Sequence, residues 1–391
     1  MKKKSGKKYL TALAILCLVF VELFFVILYN GCGNKNDDGK TKKDVNLYFA
    51  VFKDDSEVIK ELCEAFSQQN EGINVRITEL AKDSDENNRL IFSMLAGNEI
   101  KADLIAIEDA VLNEYIKIDY LKPCNEYLTL DFSEYPRQFK SILCKNDRLY
   151  AIPFELDATL LAYRSDLAGG GADYEALAEN PGLFSAKGLS REDLLSLANE
   201  CILFENDVSE GLKIYKRLCE NSKDKNNNCI TDFKNGNSSY LKTKTSCYLQ
   251  LKYGSGLPGG AVRAKIPQAK GRALSSAKLT GIAVNKKAEK EKDEAISKFL
   301  NYFLDEDIQL KLAKKRGTLP LKLKYYFYPI VSDFNEYNEL FADILPSLNY
   351  RNAADDYSKI SDSAYKAICG YVEGRTSLDE AAEKMKEVYG K

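Results

Sequence analysis

The chain has 391 residues, more than a typical single domain, so we expect two lobes with separate cores. Its 56 basic and 58 acidic residues nearly cancel, which gives no electrostatic argument for nucleic acid binding. The chain contains no His, which excludes Ser-His-Asp and Cys-His catalysis and the most common zinc ligand, and no cofactor is expected.

The first residues have the pattern of an export signal. Five lysines among residues 2–8 precede an apolar run from Tyr9 to Tyr29. This pattern predicts that residues 1–31 are a signal peptide or a membrane anchor. A permanent transmembrane anchor is the alternative because the run is close to membrane-spanning length, although Glu22 in its middle would be costly in a bilayer.

The apolar run ends at a cysteine. Residues 28–32, Leu-Tyr-Asn-Gly-Cys, resemble a bacterial lipobox, and Cys32 is the expected site of lipidation. Residues 32–44 are polar and contain glycine, so they predict a flexible tether. We therefore expect the protein to be held at the outer face of the cell membrane.

Strand and helix signals alternate after the tether. A strand is predicted over residues 45–51, an amphipathic helix over 58–66 and further strands over 73–77 and 102–107, which together imply a parallel α/β sheet. Ligands of open α/β sheets bind beyond the carboxyl ends of the strands. The loop residues there are candidate ligand contacts, with solvated surface charges as the alternative. They are Lys53, Asp54, Asp55, Glu108 and Asp109.

Two carboxylates lie within a strand-like apolar run, residues 148–167. Pro153 cannot donate a ladder hydrogen bond, so we expect the strand to be interrupted or to pass an edge there. Glu155 and Asp157 follow at period two and point to one side, whereas Phe154 and Leu156 point to the other. A strand that exposes acids between two apolar stretches is typical of a hinge between two lobes.

These residues resemble the family 1 extracellular solute-binding proteins of ABC transporters, the maltose-binding-protein-like group. Tyr150–Pro153, Asp157 and Tyr163–Leu167 match the first crossover between lobes in that family. The resemblance implies an α/β, two-lobe periplasmic-binding-protein-like fold (type II) with three crossover strands forming the hinge. It also implies that the Asp157 carboxylate hydrogen-bonds sugar hydroxyls, and Glu155 beside it is a further candidate contact.

The second half of the chain continues the resemblance in the family's order, through Phe233–Gly236, Ile266–Gly271 and the block from Ala295 to Pro320. The remaining expected ligand contacts are Lys244, Ser276 and Tyr357. Crossings are expected near residues 154–158, 277–281 and 318–322. The predicted lobes comprise residues 45–156 with 280–320, and residues 157–279 with 321–391.

The resemblance implies the solute-binding component of an ABC importer, which captures a small polar ligand, a sugar or an oligosaccharide, by hinge closure. The expected partners are this ligand and membrane permease subunits, and the protein is expected to be a monomer and not an enzyme. Two alternatives remain open. One is an orphan receptor or adhesin on the same fold, and the other is a glycoside hydrolase using Glu155 and Asp157 as its carboxylate pair.

Aromatic and sulfur side chains leave further alternatives. The chain has no Trp, the usual stacking residue of sugar-binding members, so its 24 Tyr and 18 Phe are the available stacking side chains. Tyr325 and Tyr326 suit either core packing or ferric iron. Eight cysteines outside the leader suit either disulfides or buried thiols. They are Cys63, Cys124, Cys144, Cys201, Cys219, Cys229, Cys247 and Cys369.

Overall fold

The structure of the protein is a computed structural model, which describes most of the chain after the expected tether. The described residues are 44–53, 56–81, 84–97, 100–186, 188–222, 228–254, 256–257, 260–327, 338–351 and 354–389. The predicted leader, the lipidation site Cys32 and the loop residues Asp54 and Asp55 lie outside them. No helix in the described segments has both the length and the apolar character that a membrane span requires.

Strands and helices alternate through the first part of the chain. The elements up to the first long strand are β1 (Val45–Phe52), α1 (Val58–Gln69), β2 (Ile73–Leu80), α2 (Ser84–Leu95), β3 (Leu104–Glu108), α3 (Asp109–Lys117), β4 (Leu121–Lys122), α4 (Gln138–Leu143), β5 (Cys144–Lys145), β6 (Arg148–Leu149) and β7 (Ala151–Arg164). Three-residue 3₁₀ turns at Cys124–Glu126 and Phe132–Glu134 separate β4 from α4. The strand, helix, strand order predicted for residues 45–107 is confirmed.

Helices dominate the second part. The elements up to the second long strand are α5 (Tyr174–Glu179), β8 (Phe184–Ser185), α6 (Arg191–Glu205), α7 (Val208–Glu220), α8 (Cys229–Lys234), β9 (Tyr240–Lys244), α9 (Thr245–Gly254), β10 (Val262–Lys265), β11 (Gln268–Ala269), β12 (Arg272–Ala273) and β13 (Ser275–Asn285). The C-terminal elements are α10 (Asp293–Leu304), α11 (Glu306–Arg316), α12 (Lys324–Phe327), α13 (Asn338–Ser347), β14 (Leu348–Tyr350), α14 (Tyr357–Val372) and α15 (Leu378–Tyr389).

Ten strands connect into one curled sheet. Its main order is β2-β1-β3-β13-β7-β9-β8, with β10 on β7 and with β4 and β14 on β13. β1 pairs in parallel with β2 and β3, as the predicted βαβ unit requires. β13 runs antiparallel to both β3 and β7, so the chain returns to the first strands from the second half.

The two long strands, β7 and β13, run from one end of this sheet to the other and change partners along their length. Residues 151–158 of β7 pair with β13, whereas its residues 159–164 pair with β9 and β10. A third segment joins them, because the backbone N–H of Leu319 donates to the carbonyl oxygen of Leu156 at 2.8 Å. The three predicted crossings therefore lie side by side, while the exact lobe boundaries stay a prediction.

β7 continues through Pro153 instead of breaking there. Thr280 of β13 lies opposite Glu155, but Gly281 lies opposite Pro153, so Phe154 is the extra residue of a β-bulge. A Cβ atom at Gly281 would lie 2.8 Å from the Ala151 Cβ, so glycine lets the strands approach closely here. The missing N–H of proline is thus accommodated by the bulge and not by a break or an edge.

The apolar side of β7 packs into an aromatic cluster. The Phe154 ring lies 5.5 Å from that of Phe303, and the Phe49 and Phe66 rings lie 5.2 and 5.3 Å from that of Phe299. Because Phe154 lies in this core, Glu155 and Asp157, which alternate with Phe154 and Leu156, point to the opposite side of the strand. That side holds the candidate site.

The described cysteines form no disulfide, and the hydroxyls of the tyrosine pair bond within the protein. All eight cysteines in the described residues are free thiols, and burial raises the pKa of Cys63 and Cys124 to about 12. The hydroxyl of Tyr326 donates to the carbonyl oxygen of Pro320 at 2.7 Å, and that of Tyr325 donates to Glu306. Both hydroxyls therefore bond to protein groups.

Candidate functional site

A cavity of ≈ 250 Å³ lies where the crossing strands meet the ends of β1, β3, β9 and α11. We call it the central cavity. Five of the predicted contacts line it, namely Lys53, Glu108, Glu155, Asp157 and Lys244. The other lining residues are Phe52, Ser56, Ser246, Cys247, Gln250, Lys278, Thr280, Lys315, Arg316, Gly317 and Thr318.

The floor of the central cavity is made by the two crossing strands. Glu155 and Asp157 point into it from β7, which confirms that the period-two pair shares one side. Thr280 and Lys278 of β13 lie directly opposite them in the antiparallel register. Alternate residues of two paired strands therefore present polar side chains on one face while their neighbours fill the core.

Asp157 is held by four donors of the protein itself. Its Oδ1 accepts hydrogen bonds from Thr245 Oγ1 (2.6 Å) and from the backbone N–H groups of Ser246 (3.2 Å) and Ala158 (3.0 Å). Its Oδ2 accepts one from Ser246 Oγ at 2.5 Å. The carboxylate thus lies at the N-terminus of α9, where the helix dipole favours negative charge. Its Oδ2 retains one lone pair for a further donor.

Glu155 forms an ion pair with Arg316. The Arg316 Nε donates to Glu155 Oε1 and the Nη2 donates to Oε2 at 3.1 Å, so the pair is bidentate. Arg316 is the last residue of α11, and Gly317 (φ 69°) ends that helix in a left-handed turn that leads into the third crossing segment. The third crossing is thereby fixed to the first by an ion pair as well as by backbone hydrogen bonds.

Two further ion pairs involve side chains of the lining. Lys278 Nζ donates to Glu108 Oε1 at 3.2 Å, and Lys244 Nζ lies 2.9 Å from Asp193 Oδ1. Burial raises the pKa of the Glu108 carboxyl, but Lys278, Arg351 and Lys244 outweigh burial and lower it to about 2. Burial also raises the pKa of the Asp193 carboxyl, but the positive charge of Lys244 outweighs burial and lowers this pKa to about 2. Both carboxylates are therefore charged at neutral pH.

Three predicted contacts lie outside the lining of the central cavity. Asp109, 1% exposed, accepts from Arg351 Nη2 at 2.5 Å. Ser276 Oγ donates to Glu200 Oε1 at 2.6 Å, because its position on β13 faces α6. Tyr357 donates to Glu192 Oε2 at 2.8 Å and borders a separate cavity of ≈ 20 Å³.

None of the eleven other lining residues was among the predicted contacts. Four of them contribute charged groups or a donor to Asp157, namely Ser246, Lys278, Lys315 and Arg316. Lys278 had a local signal, since it lies within the predicted second crossing, residues 277–281, and two residues before Thr280, so that the two share a face of an extended segment. Lys315 and Arg316 had none, because a basic last turn is common at helix ends. Their place in the site follows from the third crossing, which brings the end of α11 beside β7.

The chain matches one family of known proteins. A family model described as bacterial extracellular solute-binding protein matches residues 61–333, which is more than half of the chain. The matched span includes both long strands, the third crossing and the lining of the central cavity from Glu108 onward. The family match and the cavity therefore concern the same part of the molecule.

Solved structures of solute-binding proteins share the fold. Maltose-bound T. maritima MalE3 is 18% identical with a TM-score of 0.73, over 88% of this chain and 98% of that one. The GacH receptor of Streptomyces glaucescens is 17% identical, with a TM-score of 0.73 over 89% and 99% of the two chains. A solute-binding protein from Agrobacterium radiobacter in complex with ribitol is 18% identical, with a TM-score of 0.72 over 90% and 100%. The chain thus has the two-lobe fold predicted from its crossing segments.

Proposed function

Because the chain belongs to the family of bacterial extracellular solute-binding proteins, we propose that it captures a small polar solute, a sugar or a related polyol, in the central cavity. The family and the structural neighbours are substrate-binding proteins and not enzymes. The observation that carries the proposal is a polar cavity built on the crossing strands and closed by side chains from both ends of the sheet.

The position of the cavity suits capture by closure. Lys53 follows β1 and Glu108 ends β3 at one end of the sheet, whereas Lys244 ends β9 and Ser246 lies in the first turn of α9 at the other. A ligand that contacts both groups adds binding energy only when they are close together, so it favours the closed arrangement. We propose residues 45–156 with 280–320 and residues 157–279 with 321–391 as the two lobes that move.

The surroundings of the protein follow from the same proposal. The family is extracellular, and a lipid on Cys32 would hold the protein at the membrane, where ABC permease subunits would receive the ligand. The structural neighbours have been solved with maltose, acarbose and ribitol, and this range sets the first compounds to test.

Ligand binding is expected to raise the melting temperature. A compound present at a hundred times its dissociation constant stabilises a protein by about 2.7 kcal/mol. We expect at least one compound of a panel of mono-, di- and oligosaccharides and polyols to produce such a shift, with one site per chain by calorimetry. A folded protein with a normal circular dichroism spectrum that binds neither this panel nor charged saccharides would argue for a function other than saccharide capture.

Replacing Asp157 by Ala is expected to affect both stability and binding. The change leaves Thr245, Ser246 and the first turn of α9 without their acceptor, so we expect a loss of about 1–3 kcal/mol in the free energy of unfolding. It also removes the free lone pair of Oδ2, so affinity for the ligand found in the panel should fall by about 1.5–3 kcal/mol.

The matched control is Asp207→Ala. Asp207 caps α7 by accepting from the Glu210 N–H at 2.9 Å and does not line the central cavity. It should lose about 1 kcal/mol of stability with unchanged affinity. If Asp157→Ala keeps its full affinity, measured by calorimetry below its melting temperature, Asp157 is a helix cap and not a ligand contact.

A further inference from the structure

The charged side chains of the central cavity do not balance. Five cationic residues line it, Lys53, Lys244, Lys278, Lys315 and Arg316, against three carboxylates, Glu108, Glu155 and Asp157. Opposite charges within a few ångströms neutralise each other, so the charge that a ligand experiences depends on which groups remain unpaired.

Three of the cations already have anionic partners. Arg316 is paired with Glu155, Lys244 with Asp193 and Lys278 with Glu108. Glu108 also accepts from Arg351 Nη2 at 3.4 Å, so it would keep a cationic partner if Lys278 turned to a ligand. Lys278 is therefore a paired cation that can be released without leaving a bare carboxylate.

Lys53 and Lys315 have no acidic partner among the described residues. Lys53 follows the last residue of β1, and Lys315 lies in the last turn of α11, so the two reach the central cavity from separate elements. Both are exposed and extend long, flexible chains toward it. The described lining thus keeps two unpaired ammonium groups against one carboxylate, that of Asp157, which neutral donors hold, and this leaves an excess of positive charge.

The same lining offers little for the recognition of a neutral sugar ring. Phe52 is the one aromatic residue among the described lining residues, and Lys278 Nζ lies 5.9 Å from the centre of its ring. A ring with a cation near it is a poor platform for a neutral sugar, whose C–H face needs the same surface. Charge, more than stacking, distinguishes this cavity.

We propose that the ligand is an anionic saccharide, a sugar that bears a carboxylate, sulfate or phosphate group, and that Lys53, Lys278 and Lys315 bind this group. This inference rests on the proposed function and names its substrate class. The Asp157 Oδ2 and the hydroxyl of Thr280 are then left for sugar hydroxyls on the floor of the cavity.

Matched pairs of compounds test the proposal on the full-length protein. Glucose is compared with glucuronate, glucose 6-phosphate and glucose 6-sulfate, and the neutral ligands of the panel are compared with their uronic acid or phosphorylated forms, by calorimetry at low and high ionic strength. Inorganic phosphate and sulfate are titrated alone. We expect an anionic sugar to bind at least about 10-fold more tightly than its neutral partner, and to weaken as salt screens the ammonium groups.

Variants locate the anionic group. Lys53→Gln and Lys315→Gln should each weaken the anionic sugar by about 10-fold or more and leave a neutral sugar within about 2-fold, since one charge-assisted hydrogen bond is at stake. Lys314→Gln is the control, because Lys314 precedes Lys315 on the same helix and is exposed but does not line the cavity. It should leave both affinities unchanged.

The outcomes separate this inference from the function on which it rests. A neutral sugar that binds as tightly as its anionic partner, or lysine variants with normal affinity, would overturn the anionic class and leave sugar capture standing. If inorganic phosphate or sulfate binds as tightly as the charged sugar, the cavity recognises the anion alone, and the claim that the ligand is a saccharide is overturned. Binding of no neutral or charged sugar by folded protein would overturn the proposed function itself.

Discussion

Replacing Lys242 by Met is expected to lower the free energy of unfolding by about 3–5 kcal/mol, because it leaves the Glu200 carboxylate buried without its cation. Lys242 Nζ lies 2.6 Å from Glu200 Oε2, and the two side chains are 2% and 0% exposed. Glu200 also accepts from the hydroxyls of Tyr174 (2.7 Å) and Ser276 (2.6 Å). This group therefore joins α5, α6, β9 and β13 at one point in the second part of the sheet.

A second variant separates the buried charge from lost packing. Lys242→Met combined with Glu200→Gln removes both charges but keeps an amide oxygen for Tyr174 or Ser276, so it should recover most of the lost stability. Lys298→Met is the surface control, because its pair with Glu294 is exposed and should contribute at most about 1 kcal/mol. Urea unfolding followed by circular dichroism measures all of them. If the free energy of unfolding of Lys242→Met lies within about 1 kcal/mol of the wild-type value, Glu200 is not held as an ion.

The fold was largely predictable because its signals are local and periodic. Glu155 and Asp157 alternate with Phe154 and Leu156, and this alternation fixes which side of the strand is apolar and which is polar. The strands around residues 45–51, 73–77 and 102–107 follow from short apolar runs. The bulge at Phe154 was not predictable, because it depends on how closely Gly281 of the partner strand approaches.

The site was predictable where a residue follows a strand and not where a distant partner decides. Lys53 and Glu108 reach the central cavity because strand ends meet at one edge of the sheet. Asp109 follows Glu108 directly, yet Arg351, 242 residues later in the chain, holds it away from the cavity. Ser276 and Lys278 share a face of β13, but the first bonds Glu200 and the second Glu108, and sequence spacing contains no information on these partners.

Replacing Arg351 by Met is expected to be as damaging as the loss of Lys242, because Arg351 serves three carboxylates at once. Its Nη2 lies 2.5 Å from Asp109 Oδ1 and 3.4 Å from Glu108 Oε2, and its Nη1 lies 3.0 Å from Glu192 Oε2. The side chain is 9% exposed. We expect a loss of about 3–5 kcal/mol at neutral pH, measured by urea unfolding. The cluster links the β3–α3 junction to α6, elements of the two proposed lobes, so ligand affinity should fall as well.

The pH dependence of this variant identifies the cause. Burial already raises the pKa of Asp109, and Arg351 opposes that effect, so removing Arg351 raises the pKa further. A carboxyl whose pKa is higher in the folded than in the unfolded protein destabilises the fold as pH rises from the unfolded value, about 3.9, through the folded one. The difference between wild type and Arg351→Met should therefore be smaller at pH 4 than at pH 7. Lys366→Met, which breaks an exposed pair with Asp362, should show a small difference at both pH values. An Arg351→Met deficit that is equal at pH 4 and pH 7 would mean that lost packing, and not the buried charge of Asp109, is responsible.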